Sequence, residues 1–324
     1  MTQNAKKPPE RGGAGGFLNH PEQRHFTAST VENQFLEAAH AAGVRLTGSI
    51  IGDGILHRSH IEGHRSNTKN GAYILHLDNH PAGWALDYTT DHSFTWRADG
   101  QRVKLSPADK AAIEVERKRR DAERQQTHRI AKDKASFIWS KTHPIVDASQ
   151  YPYLVKKRIR PHGARLSSYQ GRESLVIPIS NHQGRLTSLQ FIDADGSKRF
   201  LSGGEIKGCF VGIGLSGVIA DGGKILICEG FATGASLHEW YREPVVVAFN
   251  AGNLEPVAKQ IRAAYLAAEI IICGDNDESG VGQKAAKTAA VSVNGKYLLP
   301  PVVGTDFNDA INSWRDAAGK EAGV

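Results

Sequence analysis

Two short apolar segments, each ending in acidic residues and glycine, constrain the fold of this chain most strongly. They are KILICEG (224–230) and EIIICGDND (269–277). Continuous apolar runs of this length, separated by helix-like sequence, are typical of parallel strands that are buried on both faces. Open parallel sheets bind their ligands at the carboxyl ends of the strands. Glu229, Asp275 and Asp277 fall at these ends, so we predict a ligand site there.

The crowding of these three carboxylates predicts the kind of ligand. Like charges held close together repel one another, and a hard divalent cation with oxygen ligands removes that repulsion. The pattern therefore predicts a Mg²⁺ site, with Mn²⁺ as a substitute. The alternative interpretation is an ordinary α/β domain in which the acids cap the helices that follow the strands.

The order and spacing of these motifs resemble the toprim domain, which occurs in primases, topoisomerases and some nucleases. The toprim pattern is a Glu-Gly strand end followed by D-x-D-x-x-G, found here at Glu229 and, about 45 residues later, at Asp275 and Asp277. The resemblance implies that Glu229 is a general acid/base or a shared metal ligand. It also implies that the two aspartates are the principal metal ligands.

A further acidic motif follows the next predicted strand. The sequence TDFNDAI (305–311) resembles the motif found at this place in toprim domains of the primase type. The resemblance makes Asp306 a supporting metal ligand, whereas a helix-capping role is the simpler interpretation of Asp309. Together the toprim motifs cover roughly the last third of the chain.

Changes in composition along the chain predict six segments. We predict a flexible tail (1–28), a small antiparallel β domain (29–100), a charged helical connector (101–146), a basic nucleic-acid-binding subdomain (147–222), the toprim catalytic domain (223–316) and a polar tail (317–324). The predicted fold class is α/β. It comprises a C-terminal toprim domain with a Rossmann-like parallel sheet, a basic α+β subdomain before it, and a small N-terminal domain that is mainly antiparallel β.

The N-terminal domain is rich in histidine and has no cysteine. Its short alternating runs are separated by Asn, Gly and Asp turns, and they include the closely spaced His57, His60 and His64. Bacterial replicative primases carry a cysteine zinc ribbon ahead of their catalytic core, and this domain resembles such a ribbon without its zinc ligands. We therefore expect no zinc and interpret the histidines as surface or hydrogen-bonding residues. A histidine metal site is the alternative.

The connector and the basic subdomain differ in how their charges are balanced. Residues 106–141 mix both signs, which predicts a solvated helix, with a DNA-binding helix as the alternative. Residues 148–172 instead carry six cations, no acid, and interleaved tyrosines, Tyr151, Tyr153 and Tyr169. Uncompensated cations with aromatic residues are typical of surfaces that bind single-stranded nucleic acid. The alternative is a solvated surface with the tyrosines in the core.

Three predicted strands follow, at 174–180, 185–193 and 197–204, and their glycine turns predict hairpins. This pattern resembles the basic subdomain of primases of the plasmid and phage type. The cations predicted to bind nucleic acid or nucleotide are Lys156, Lys157, Arg158, Arg160, Arg172, Arg185, Lys198, Arg199 and Lys207. Of these, Arg185, Lys198, Arg199 and Lys207 are predicted to face the active site.

The resemblance implies a DNA primase of plasmid, phage or other mobile-element type. Such an enzyme would synthesise short RNA primers on a single-stranded DNA template from nucleoside triphosphates, by metal-dependent nucleotidyl transfer. The sequence shows no helicase motor, so a separate replicative helicase is an expected partner, and the alternative is DNA that is already single-stranded, as in conjugation. The alternatives are a metal-dependent toprim nuclease and a non-catalytic DNA-binding replication accessory. A topoisomerase would need a large strand-gating domain, and an ATP-dependent nuclease would need G-x-x-x-x-G-K-[ST], which the sequence lacks.

Composition agrees with a protein that handles nucleic acid. The formal net charge of +6 favours an anionic partner. The three cysteines form no C-x-x-C pair, so we expect no disulfide framework. The sequence has no apolar run of membrane-spanning length and no basic-then-apolar leader, so we expect a cytoplasmic protein without a membrane partner.

Overall fold

The structure is a computed structural model that describes residues 28–65, 68–77, 80–90, 92–98, 107–168, 171–215 and 222–321. The predicted flexible tail lies outside the described residues, except for Ala28, which begins the first helix. The chain forms two compact units, Met1–Val103 and Lys104–Val324. Within the described part of the chain, no helix combines the length and the apolar character needed to cross a membrane.

The N-terminal unit packs one helix on an antiparallel sheet. Helix α1 (Ala28–Ala41) precedes strands β1 (His57–Ser59), β2 (Gly71–His76), β3 (Ala82–Asp87) and β4 (His92–Arg97), which pair in this order. Phe35 of α1 is fully buried together with Tyr73 and Leu75 of β2. The helix lies so close to the sheet that a Cβ on Gly83 would stand 2.5 Å from the Phe35 ring. Glycine is therefore required at this point of β3.

Helix α2 (Pro107–Ser140) opens the second unit and corresponds to the predicted charged connector. In its first half, the side chains that the structure describes are exposed or partly exposed, and they form surface pairs such as Arg117 with Glu114. Its second half is not solvated on every side as predicted, because Ala131, Ala135 and Ile138 are buried, although most of its other side chains are exposed. These three side chains recur at helical spacing and form one apolar stripe, which the high charge of the whole segment conceals in the sequence.

The basic subdomain is an antiparallel sheet with one short helix. Strands β5 (His143–Pro144), β6 (Arg165–Ser167), β7 (Ser174–Ser180), β8 (Leu186–Ile192) and β9 (Lys198–Phe200) pair in this order, and helix α3 (Pro152–Lys157) lies between β5 and β6. One face of the sheet, including Val176 and Phe191, packs with the apolar stripe of α2. The opposite face, including Ile177 and Ile192, joins a cluster that it shares with the C-terminal sheet.

The C-terminal sheet contains five strands in the order β10-β12-β11-β13-β14. They are β10 (Val211–Ile213), β11 (Lys224–Cys228), β12 (Val245–Val247), β13 (Glu269–Cys273) and β14 (Lys296–Leu298). Four of them are parallel, whereas β10 pairs antiparallel with β12. The sequence did not predict β10, since it is only three residues long and has a glycine at its centre. A bridge between Ser180 and Phe210 leads from the basic sheet into this strand.

Four helices cover the C-terminal sheet: α4 (Phe231–Tyr241), α5 (Ala251–Ala264), α6 (Val281–Ser292) and α7 (Phe307–Glu321). Alternating residues of β11 face opposite sides, so that Leu226 packs near Phe231 of α4 and Ile225 packs near Leu254 of α5. Burial on both faces explains the continuous apolar runs, and each such isoleucine or leucine contributes about 2 kcal/mol. Helix α7 continues to Glu321, through part of the segment predicted as a polar tail.

Candidate active site

The sheet register brings the predicted acids to one edge. Strands β11 and β13 are adjacent and parallel, with Cys228 opposite Cys273. Glu229 follows the first of these cysteines directly, and Asp275 follows the second after one glycine. The loop before α7 is tied to the same place, because Asn276 donates its backbone N–H to the Thr305 carbonyl at 3.1 Å. This pairing places Asp306 beside the ends of the two strands.

Glu229 and Asp275 are partly buried and poorly satisfied. One oxygen of each, Glu229 Oε1 and Asp275 Oδ1, is buried without a hydrogen-bond partner among the residues that the structure describes. Burial, followed by the charges of Asp275 and Asp277, raises the pKa of Glu229 to about 7. Burial and the charge of Asp306 raise the pKa of Asp275 to about 6, although Lys198 opposes this change. The charges of four side chains therefore repel one another, and we call these residues the acid cluster: Glu229, Asp275, Asp277 and Asp306.

Asp277 is held differently from its neighbours. Burial alone would raise its pKa, but hydrogen bonds from Ser279 and from the Gly282 N–H, at 2.8 Å, keep that pKa below the ordinary value. A Cβ on Gly282 would stand 2.6 Å from the Asp275 carbonyl oxygen and 2.8 Å from Asp277 Oδ2. The first turn of α6 can therefore approach the acid loop only with glycine at this position. Asp277 is thus ionised and oriented before any ligand binds.

Asp306 caps helix α7. Its Oδ1 accepts hydrogen bonds from the backbone N–H groups of Asn308 (2.7 Å) and Asp309 (3.0 Å). Asp309, to which the sequence assigned the capping role, instead accepts from the Asp306 N–H at 3.4 Å. The pair forms a reciprocal capping arrangement, in which the residue at the helix boundary makes the stronger contacts. Capping leaves Asp306 oriented toward the other acids, where its charge acts on Asp275.

Two lysines from the basic subdomain stand at the acid cluster. The Lys198 side chain is accessible to solvent, but protein atoms crowd its ammonium group. This desolvation and the charge of Lys157 lower the pKa of Lys198, while Asp306 and Asp275 oppose the change. Lys198 Nζ lies 4.0 Å from the position that a Cβ would take on Gly230. Lys157 Nζ lies 3.9 Å from Asp309 Oδ1.

Arg199 does not face the acids as predicted. Its guanidinium lies 4.6 Å from the ring centre of Phe191, on the face of the sheet that packs with α2, and 3.7 Å from Asp193. The preceding residue, Lys198, faces the acids, and successive side chains of a strand point to opposite faces. Arg172 also pairs with Asp193, at 3.1 Å. The charges of both arginines are therefore partly offset by one aspartate.

The other predicted cations are exposed at the surface. Arg158 pairs with Asp316 at 2.6 Å. The remaining cations, all exposed, are Lys156, Arg160, Arg185 and Lys207. Tyr151 and Tyr153 are each only 2% exposed, so they belong to the core and do not offer a stacking surface. Tyr169 lies outside the described residues.

The sequence missed two side chains that border the acid cluster. Tyr153 has a buried hydroxyl without a partner among the described residues, and burial together with the charge of Asp306 raises its pKa. Asn308 is 1% exposed and links α7 to the basic subdomain. Tyr153 belongs to no motif, so the sequence had no signal for it beyond its place in a basic segment. The signal for Asn308 was its position between two acids in TDFNDAI.

The closely spaced histidines of the N-terminal unit have polar partners within that unit. His57 lies 2.8 Å from Asp53, His60 lies 3.0 Å from the Thr68 carbonyl, and His64 lies 3.5 Å from Asp87. These contacts support the interpretation that the histidines are hydrogen-bonding residues. Across the described parts of both units, no three His, Cys, Asp or Glu side chains are already arranged as a metal site.

The acid cluster nevertheless fits a divalent cation by its donor chemistry. Its members are carboxylates, the ligands that hard cations prefer, and two of their oxygens are buried without partners in the described residues. Their mutual repulsion is the energetic reason for a cation to bind. Asp275, Asp277 and Asp306 are the residues that would hold it, with Glu229 beside them.

A comparison with known protein families identifies the part of the chain that carries the acid cluster. Residues 224–315 match the toprim domain family, and this part of the chain is therefore a toprim domain. The predicted fold class is confirmed: antiparallel sheets precede a C-terminal sheet that is mainly parallel. Toprim domains of primases generally use divalent metal ions.

The wider comparison is with DNA primases. The chain is 33% identical to a DNA primase TraC of Escherichia coli over 285 residues, which are 84% of this chain and 27% of that protein. A second E. coli DNA primase TraC is 33% identical over 288 residues, 84% of this chain and 20% of that protein. The predicted relationship to toprim-domain primases of the plasmid and phage type is thus confirmed. The chain spans less than a third of the length of these relatives.

A solved structure shows a weaker similarity. The primase fragment of the bacteriophage T7 primase-helicase protein has a TM-score of 0.41 and 17% identity, over 82% of this chain and 99% of that chain. A similarity this low carries no inference about individual residues.

The raised pKa of Glu229 leads to a test of the cluster without any ligand. Glu229→Gln should increase the free energy of unfolding at pH 8, on the order of 2 kcal/mol, and leave it unchanged at pH 4. The folded state disfavours the Glu229 carboxylate and favours its protonated form. The stability that the protonated form contributes is therefore lost as the pH rises from about 4.5 through about 7. Urea denaturation in the presence of a chelator measures both values.

The exposed neighbour Glu278 provides the matched control for this measurement. Glu278→Gln makes the same substitution at an exposed residue of the adjacent loop, after β13, and should change stability little at either pH. An equal effect of Glu229→Gln at pH 4 and pH 8 would show that Glu229 is not electrostatically disfavoured.

Proposed function

We propose that this chain is a DNA primase of the plasmid or phage type, which synthesises short RNA primers on single-stranded DNA. One observation carries the proposal. In a chain 33% identical to a DNA primase, the carboxylates at the ends of β11 and β13 adjoin a lysine from the basic subdomain, Lys198. Nucleotidyl transfer needs this combination, because charge must be neutralised on the phosphates while the reacting groups are aligned.

Asp275, Asp277 and Asp306 are the proposed ligands of a divalent cation, Mg²⁺ or Mn²⁺. When bound, the cation supplies charge neutralisation and activation of the attacking hydroxyl. Asp277 suits this role because its hydrogen bonds keep it ionised. Asp275 suits it because its Oδ1 is buried without a partner among the described residues.

Glu229 is the proposed proton acceptor. With a pKa of about 7, it can take up and release a proton near neutral pH, as a general base requires. In the proposed step the 3′-hydroxyl oxygen bonds to the α-phosphorus of the incoming nucleotide. The bond from that phosphorus to the pyrophosphate oxygen breaks, and the hydroxyl proton passes to Glu229. Lys198 stabilises the negative charge that the phosphates carry during the transfer.

Template binding is assigned to the exposed cations of the basic subdomain. Lys156, Arg160, Arg185 and Lys207 are accessible and suited to contacts with phosphates. Arg172 and Arg199 would contribute less, because both lie close to Asp193. Single-stranded DNA would reach the site after strand separation by another protein, and a replicative helicase is the proposed partner.

The proposal is tested by incorporation of labelled nucleoside triphosphates on unprimed single-stranded DNA with Mg²⁺ or Mn²⁺. We expect short products that begin de novo, because the site combines proposed metal ligands, a base and phosphate-binding lysines. Addition of a chelator should remove the products completely. The same reactions resolved on a gel measure both the nucleotide label and the integrity of the DNA.

Two other outcomes would replace the proposal. Metal-dependent loss of the DNA without synthesis would identify a nuclease, in which Glu229 activates water in place of a 3′-hydroxyl. Intact DNA with binding but neither synthesis nor cleavage would identify a replication accessory.

A further inference from the structure

The beginning of helix α7 holds the end of helix α3. Asn308 is almost completely buried, at 1% exposure, and its Nδ2 donates to the Lys157 carbonyl at 2.7 Å. The same amide group donates to Ser236 Oγ of α4 at 2.8 Å. The Asn308 backbone N–H donates to Asp306 Oδ1 at 2.7 Å. One residue therefore connects a proposed phosphate-binding lysine with a proposed metal ligand.

Two further side chains of α7 complete the attachment. Asn312 Nδ2 donates to the Lys157 carbonyl at 3.3 Å, and Arg315 Nη1 donates to the Arg158 carbonyl at 2.8 Å. Helix α3 ends here, since Arg158 has a left-handed backbone with φ of 54°. The last carbonyls of a helix have no partner within it. In this protein α7 supplies their donors, and it thereby determines where the end of α3 lies.

This attachment determines where the Lys157 ammonium group stands. The group lies 3.9 Å from Asp309 Oδ1, and its charge acts on Lys198. Two ammonium groups at one edge of a site repel each other unless an anion lies between them. Phosphate groups are the anions that match this arrangement, because each can accept hydrogen bonds from both lysines.

We infer that Asn308 is a positioning residue, which holds the Lys157 carbonyl so that the Lys157 ammonium group joins Lys198 in binding phosphate. The phosphate would belong to a nucleoside triphosphate or to the DNA strand, so the inference rests on the proposed function for its ligand. Removal of the Asn308 amide would leave the Lys157 carbonyl with its longer contact to Asn312 alone. The end of α3 would then shift, and the lysine with it.

A double-mutant cycle tests whether Asn308 acts through Lys157. We expect Lys157→Ala and Asn308→Ala each to weaken binding about tenfold, by loss of one charge-assisted contact. The double variant should bind no more weakly than Lys157→Ala alone, because the two residues serve one contact. Titration calorimetry with ATP and, separately, with a short single-stranded oligonucleotide measures the dissociation constants without any turnover. The ligand whose binding changes identifies the source of the phosphate.

Asn253 is the matched control for a buried carboxamide. Asn253 belongs to helix α5 and is 3% exposed. Its Nδ2 donates to the Cys209 carbonyl at 3.0 Å and to the Ala248 carbonyl at 2.7 Å. Asn253→Ala should lower thermal stability but show no coupling to Lys157→Ala. If Asn308→Ala fails to fold, Asn312→Ala tests the same attachment through the weaker 3.3 Å contact and should give a smaller, equally non-additive loss.

Additive effects of Asn308→Ala and Lys157→Ala would overturn the inference, since they would show that Asn308 has a general structural role. Unchanged binding of both ligands by Lys157→Ala would also overturn it. These outcomes are separate from failure of the proposed function. If the wild-type protein binds ATP or DNA but makes no primers, the proposed primase activity is refuted. The coupling between Asn308 and Lys157 can still be measured from the binding constants.

Discussion

Asp275→Ala is expected to reduce nucleotide incorporation about 10³-fold or more. Asp275 lies at the end of β13, where its Oδ1 is buried without a partner in the described structure, and its charge interacts with Glu229 and Asp306. Its removal would take away a principal ligand of the cation that neutralises phosphate charge. Preorganised electrostatic groups of this kind account for the largest single contributions to catalysis. Single-turnover incorporation on unprimed single-stranded DNA measures the loss.

The structure predicts that this loss is not caused by unfolding. Because burial and Asp306 raise the pKa of Asp275 to about 6, its charge destabilises the metal-free fold at higher pH. Asp275→Ala should therefore unfold at pH 8 no more easily than the wild type when a chelator is present. A divalent cation should raise the unfolding temperature of the wild type more than that of the variant.

Glu278→Ala is the control for the catalytic measurement. Glu278 is exposed and lies in the same loop, so its loss removes a nearby charge without touching the proposed ligands. Its activity should remain within about twofold of the wild type, a change of roughly 0.4 kcal/mol in the barrier. Equal activity of Asp275→Ala and Glu278→Ala would exclude Asp275 from the reaction.

Glu239→Ala is expected to lower the free energy of unfolding by about 3–5 kcal/mol. The Glu239 side chain is 9% exposed and lies 2.8 Å from His162 Nε2 and 3.0 Å from Arg315 Nη2. It also accepts the Arg160 N–H at 2.7 Å. Alanine would leave these groups without their acceptor in a poorly solvated place, and this loss is much larger than that of an exposed ion pair. Denaturant unfolding monitored by circular dichroism measures the change.

The pH dependence of this effect has a definite sign. Burial alone would raise the pKa of Glu239, but hydrogen bonds from His162 and from the Arg160 N–H bring it below the ordinary value of 4.5. The stability that Glu239 contributes is therefore present above about pH 4.5 and is lost as the pH falls through the lower, folded-state pKa. The difference between wild type and Glu239→Ala should shrink in acid.

An exposed pair on helix α5 is the matched control. Glu255 contacts Lys259 at 2.5 Å, one turn along the helix, and both side chains are well exposed. Glu255→Ala should cost no more than about 0.5 kcal/mol, because solvent screens such pairs. A cost below about 1 kcal/mol for Glu239→Ala would show that the buried network does not hold the segment around residues 158–162 in place.

The acid cluster could be predicted because each of its motifs is local. An apolar run followed by Glu229, or by Asp275 and Asp277, specifies a buried strand and the residues at its end. Parallel pairing of β11 with β13 then brings the carboxyl ends of the two strands together, and this does not depend on how the helices pack. Several local expectations were wrong in whole or in part, and two of them show the reason. The composition of α2 concealed its apolar stripe, and the placement of Arg199 beside Lys198 ignored the alternation of strand side chains.

What the sequence by itself determined is the fold class, the toprim domain and the identity of the acids at its strand ends, since all of these follow from runs of neighbouring residues. Only the tertiary structure decided which cations lie at the acids, that Asn308 contacts Lys157, and that Glu239 contacts His162. Those partners are far apart in the chain. Their contacts depend on how α3, α4 and α7 pack together, and packing depends on the fit of many side chains at once, which no local pattern records.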